Sequence, residues 1–88
     1  MSRKQRKELT DEALELIAGR FRALAEPMRL KILNIIGERE MSVMDIVKAT
    51  GGGQANVSKH LAILLNEGIV GRRKEGLNTF YRDRKSVV

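Results

Sequence analysis

Gly51-Gly52-Gly53-Gln54-Ala55-Asn56-Val57-Ser58-Lys59-His60-Leu61 sets a tight glycine turn directly before a segment with two chemically distinct helical faces. At about 100° per residue, Val57, Leu61, Leu64 and Gly68 share one side with Leu65 at its edge, and this apolar side reads as core. The opposite side carries Ala55, Lys59, Ala62 and Asn66, flanked by Asn56 and Ser58. Such a surface is small, hydrogen-bonding and singly positive. It enters a major groove without clashes, and its Asn, Ser and Lys groups suit base edges and phosphates. The expected base readers are Gln54, Ala55, Asn56, Ser58 and Lys59.

Upstream, Ser42 with Asp45 three positions later forms a variant capping box for a short helix that ends at Thr50-Gly51, with Val43, Ile46 and Val47 inward. Before it, Pro27 suits a first helical position because that residue needs no N–H partner, and the helix it opens runs to about Ile36 and stops at Gly37. Met28, Leu30, Ile32, Leu33, Ile35 and Ile36 make this helix apolar nearly all round, which places it centrally. The first helix follows Thr10 as N-cap, with Asp11 and Glu12 at its positive end and Leu9 and Leu14 as a hydrophobic staple. Its expected inward stripe is Leu14, Ile17, Ala18, Phe21, Leu24 and Ala25. A homodimer contact is expected at Ala13, Leu16, Ile17 and Arg20, where small residues around Leu16 let two copies approach across a two-fold axis.

Downstream of the reader the period changes. Ile69 to Lys74 and Leu77 to Asp83 read as two strands about Glu75-Gly76, a hairpin with a basic tip and first strand. The expected fold is mostly α with a small β-hairpin (α+β): a winged helix-turn-helix, about four helices followed by a two-stranded wing. In that geometry the reader enters the major groove while the wing touches the adjoining backbone, through Arg72, Arg73, Lys74, Asn78 and Thr79.

Charge supports this reading. Arg3, Lys4, Arg6 and Lys7 against Glu8 give residues 1–8 a charge of +3. Arg72, Arg73, Lys74, Arg82, Arg84 and Lys85 against Glu75 and Asp83 give residues 69–85 a charge of +4, and the rest of the +6 total is a middle section at −1. A basic segment just after the reader favours a polyanion, here double-stranded DNA. The 88 residues divide into a basic arm, 1–8, expected to be disordered, and one winged helix-turn-helix domain, 9–85. With no cysteine there is no disulfide, thiolate metal site or thiol switch. No apolar run approaches a membrane span and none follows the basic start, so the expected location is the cytoplasm, with no membrane partner.

Enzymatic chemistry is disfavoured. His60 is the only histidine, without the carboxylate or thiol partners of a catalytic or metal site, and reads as a packing or hydrogen-bonding residue at the reader's edge, within reach of phosphate. The glycine turn lacks the Lys-Ser/Thr pair of a phosphate-binding loop and follows no strand, so it reads as a soft junction that lets the reader adjust its angle. Met41 and Met44 read as gap-fillers rather than soft-metal ligands. Neither an enzyme nor a cofactor or metal is expected. The alternative is a winged-helix module that holds a protein partner, for which an apolar patch would replace the polar reader face.

Five ordered blocks of this sequence resemble the ArsR/SmtB-type bacterial and archaeal transcriptional repressors, between Phe21 and about Arg82. Leu24-Ala25-Glu26-Pro27-Met28-Arg29-Leu30-Lys31-Ile32-Leu33 is similar to that family's opening segment, and Gln54-Ala55-Asn56-Val57-Ser58-Lys59-His60-Leu61 to its reader. Gly68-Ile69-Val70, Arg72-Arg73-Lys74-Glu75-Gly76 and Phe80-Tyr81-Arg82 resemble its wing. The resemblance implies a dimeric repressor that binds an inverted repeat and leaves it when a signal arrives. In metal-sensing members the stretch matching Glu40 to Asp45 carries cysteines, where this chain has Ser42 and Met44. Other members bind metal on a helix after the wing, which also completes the dimer with helix one; only seven residues follow Tyr81, so that helix is expected to be missing or cut off.

Overall fold

Capping residues and glycines divide the chain into seven elements, seen in a computed structural model that describes residues 8–84. They are α1 (Asp11–Leu24), α2 (Pro27–Ile36), β1 (Glu40–Ser42), α3 (Val43–Thr50), α4 (Gln54–Asn66), β2 (Val70–Glu75) and β3 (Asn78–Asp83). The expected basic arm, Glu8 excepted, and Lys85 lie outside the described residues. Thr10 caps α1 by accepting from the Ala13 N–H at 3.0 Å, and Ser42 caps α3 by accepting from Asp45 N–H at 3.1 Å. Each satisfies a first-turn amide that has no carbonyl partner within its helix. Pro27 opens α2, and Gly37 closes it with its N–H on the Leu33 carbonyl at 2.9 Å.

The sheet has three strands in the order β1-β3-β2, both pairings antiparallel. The two wing strands lie where the alternation predicted them, shifted by one residue at each start, with Gly76 at φ 61° in the turn. The third strand, β1, was not expected. It pairs Glu40 with Arg82, Met41 with Tyr81 and Ser42 with Phe80, so the root of the wing is tied to the connection between α2 and α3. Ser42 ends β1 and caps α3 at once.

Beneath the sheet, Ile32 and Ile36 of α2, Ile46 of α3, Val57, Leu61 and Leu64 of α4 and Val70 of β2 are fully buried, with Tyr81 closing the cluster. Leu65 and Met41 pack on it half-buried. Trimming one methylene there leaves a small void that the close-packed neighbours fill only in part. Ile46→Val is therefore expected to lower unfolding stability by about 0.5–1.5 kcal/mol. In urea the midpoint should fall while the slope stays constant.

Helix α1 departs from expectation. Leu14 and Phe21, placed inward from periodicity, are 48% and 69% exposed, and Ile17 is exposed with them. The buried residues of α1 are Gly19 and Ala23. About 170° separates the two sides on the helical wheel. At Gly19, where a Cβ would lie 2.8 Å from Glu67 Oε1, α1 comes close to the end of α4, so its smallest residues face that helix and the bulky apolar ones turn away.

Candidate nucleic-acid interface

The reader begins at a junction more restrained than three glycines suggest. Gly51 takes the left-handed conformation at φ 75° that ends α3, its N–H on the Val47 carbonyl at 3.0 Å. The Thr50 hydroxyl donates to the same carbonyl and accepts from the Gly52 N–H at 3.1 Å, while Lys31 Nζ of α2 donates to the Thr50 carbonyl at 3.0 Å. Gly53 is the N-cap of α4 without a side-chain acceptor. Lys31 therefore holds the first half of the turn, a role that no local pattern signals.

With Val57, Leu61 and Leu64 anchored in the core, the opposite face of α4 is presented to solvent. Gln54, Ala55, Asn56, Ser58 and Lys59 are all exposed, as are Ala62 and Asn66. A groove of about 300 Å³ runs from this face to the wing, lined by Met44, Gln54, Ser58, Leu77, Asn78 and Thr79. Asn78 is exposed and Thr79 half-buried in it. First turn of the reader and tip of the wing thus form one continuous surface. Met44 borders that groove, whereas Met41 packs against the core.

The wing cations are not equivalent. Arg72 and Lys74 are exposed and, like Lys59, are in no ion pair with another described residue. Arg73, though exposed, is nonetheless committed. From β2 it crosses over Phe80 of the central strand, its guanidinium 4.8 Å from the ring centroid, to Glu40 on β1. Its Nε donates to both Glu40 oxygens at 3.2 and 3.0 Å, Nη2 to Oε1 at 2.8 Å, and Nη1 to Glu75 Oε1 at 2.9 Å. These bonds hold the Glu40 carboxyl below its usual range, against a smaller opposing effect of burial, and raise Arg73 further. Behind this pair Arg82 and Arg84 fold over Gly71, where a Cβ would sit 3.7 Å from Arg82 Nε and 3.5 Å from Arg84 Cδ. The two arginines, absent from the expected site residues, extend the basic surface.

His60 lies away from the surface, 7% exposed, and its Nδ1 accepts from Arg29 Nε at 3.0 Å. Burial and the bond to Arg29 fit the packing and hydrogen-bonding reading of this residue. Of the expected dimer residues, Ile17 belongs to the exposed stripe with Leu14 and Phe21, and Ala13 is half-buried. Leu16 borders a groove of about 530 Å³ beside Gly19 and Glu67, and Arg20 Nε donates to the Glu67 carbonyl at 3.3 Å. Among the described residues no group of three or more His, Cys, Asp or Glu is placed to hold a metal ion, and no helix is long and apolar enough to cross a membrane.

A short helix, a tight turn, a second helix with a polar exposed face and a basic antiparallel hairpin define a winged helix-turn-helix protein. Residues 26–71 match the family model described as "Bacterial regulatory protein, arsR family". The chain belongs to the arsR family. It is 41% identical over 71 residues to the uncharacterized HTH-type transcriptional regulator MJ1325 of Methanocaldococcus jannaschii, covering 80% of each. It is 36% identical over 74 residues to the HTH-type transcriptional regulator KmtR of Mycobacterium tuberculosis, covering 84% of this chain and 57% of KmtR. The chain thus spans little more than half the length of that relative. Among solved structures, the homodimeric winged helix-turn-helix DNA-binding domain of a possible ArsR-family regulator from Mycobacterium bovis superposes with a TM-score of 0.82 at 30% identity, over 93% of this chain and 79% of that one.

Proposed function

We propose that this chain is a sequence-specific double-stranded DNA-binding transcriptional repressor that acts in the cytoplasm, without catalytic activity, as a homodimer on an inverted repeat. The observation that carries the reading is the groove that joins the polar first turn of α4 to the tip of the wing, with the exposed cations Lys59, Arg72 and Lys74 on the same two elements. Gln54 and Asn56 lie in the first turn of α4, the part of a recognition helix that reaches base edges, and their amides suit paired contacts to adenine. Homodimerisation is supported by the homodimeric M. bovis domain and by the outward apolar stripe Leu14, Ile17 and Phe21. The interaction-module alternative has less support, because the reader's exposed face carries amides, hydroxyl and ammonium groups where a protein-holding module needs an apolar patch.

The test is selection of bound sequences from random duplex DNA. An inverted repeat is expected, with half-sites about one helical turn apart or a multiple of it; recovery of no common sequence overturns the reading. On the selected site, Gln54→Ala and Asn56→Ala should each cost about 1–3 kcal/mol per half-site while leaving affinity for random DNA nearly unchanged. Equal losses on both would make these residues phosphate contacts instead.

A further inference from the structure

Three helices meet at one side chain. Arg29, half-buried in the first turn of α2, donates from Nη1 to the Ala23 carbonyl at 3.2 Å and from Nε to His60 Nδ1 at 3.0 Å. Ala23 lies in the last turn of α1, where a helix carbonyl lacks an intrahelical partner. His60 lies one turn along α4 from Asn56 and directly after Lys59. One guanidinium therefore ties the helix that carries the outward apolar stripe to the helix that carries the base readers.

The chemistry of the second bond is conditional. An imidazole nitrogen accepts a hydrogen bond only when it carries no proton, so a bond from Arg29 to Nδ1 requires neutral His60 with its hydrogen on Nε2. Protonation would set two donors face to face at hydrogen-bonding distance, both positively charged. We propose that Arg29 is a positioning residue for DNA recognition: through the neutral imidazole of His60 it fixes the reader helix against α1, and protonation of that imidazole releases the reader. The inference rests on the DNA-binding function proposed above.

The surroundings favour the neutral form. Burial acts first, then the charges of Arg29 from α2 and of Lys59 from the reader itself, with Glu26 at the head of α2 opposing them; together they hold His60 below its ordinary value. For a folded-state value lowered in this way, the contribution to stability is complete above about pH 6.5 and is lost as pH falls through the lowered value. Selectivity should follow the same curve. Contacts of Arg72 and Lys74 with phosphate, which come from the wing and do not depend on this bond, should persist.

The test compares affinity for the selected sequence with affinity for random duplex between about pH 7.5 and pH 5. Wild type should lose selectivity by about tenfold or more on acidification, the factor equivalent to one unit of coupling between protonation and recognition. His60→Asn, neutral throughout and able to accept from Arg29 through Oδ1, should keep its selectivity flat with pH. Arg29→Gln, checked as folded by circular dichroism, should lose about tenfold in selectivity at neutral pH while random-duplex affinity stays level. Because His60 is the only histidine, its imidazole ¹⁵N resonances report directly: they should show the Nε2–H tautomer, titrating below the ordinary range in wild type and closer to it in Arg29→Gln. Selectivity that is present but flat with pH in wild type, or intact in folded Arg29→Gln, overturns the positioning role alone. No selectivity in wild type at pH 7.5 overturns the DNA-binding reading and this role with it.

Discussion

Phe21→Glu is expected to weaken binding to the inverted repeat by about 10² to 10⁴-fold, the avidity that two linked half-sites gain over one. Phe21 is 69% exposed on the outward stripe of α1, so glutamate there costs the isolated fold little. At a two-fold contact the same substitution places two carboxylates in an apolar seam, where burying an unpaired charge is severely unfavourable. Sedimentation should show the mass halved, circular dichroism should show the helices intact, and binding should lose its cooperativity. Leu16→Glu, on the side of α1 near Glu67, is the matched comparison. If Leu16→Glu halves the mass and Phe21→Glu leaves it unchanged, the contact lies where periodicity first located it and the outward stripe is not the seam.

Affinity should also fall about 10³-fold between 50 and 200 mM salt. Lys59, Arg72 and Lys74 on two protomers neutralise about six phosphates, and each released counterion contributes about −0.9 to the slope of log affinity against log salt. The three cations are distinguished from Arg73, whose donors are occupied by Glu40 and Glu75. Lys74→Ala should reduce the slope by about 0.9 for each phosphate left without its ammonium partner, whereas Arg73→Ala should leave it near the wild-type value. An equal reduction for Arg73→Ala would mean that it leaves Glu40 for a phosphate on binding, and a flat salt response would exclude phosphate as the main partner.

The local signals read true where the physics is local. Thr10 and Ser42 open α1 and α3, Pro27 and Gly37 bound α2, each acting within one turn of its own position, and α4 follows from an apolar period carried by Val57, Leu61 and Leu64. Strand β1 was invisible because three residues carry no period, and its cause is a partner some forty positions away in β3. For α1 the period was read correctly and its direction was not. A bulky stripe and a small-residue side, Gly19 with Ala23, both run along that helix, and only the end of α4 decides which one turns inward. The same distance problem hid the roles of Arg73 and His60. Their partners Glu40 and Arg29 lie 33 and 31 residues away, so a count of basic residues could not tell a committed guanidinium from a free one. The polar face of α4 was legible because it needs only the helix that carries it, and its residues are exposed.

The double duty of Ser42, as last residue of the edge strand and as cap of α3, makes a caliper of the molecule. One jaw is the helix pair α3 and α4, the other the hairpin, and the hinge is a single hydroxyl-bearing residue braced by β1 on one side and α3 on the other. The hairpin cannot swing away from α3 without breaking either the Ser42–Phe80 pairing or the bond to the Asp45 amide. The distance from the hairpin to α3 is consequently a set gauge, and in the proposed complex the duplex supplies part of the compliance. Sequences whose steps bend readily toward that gauge cost less deformation energy than stiff ones, so base pairs that no side chain touches enter the recognition through their flexibility.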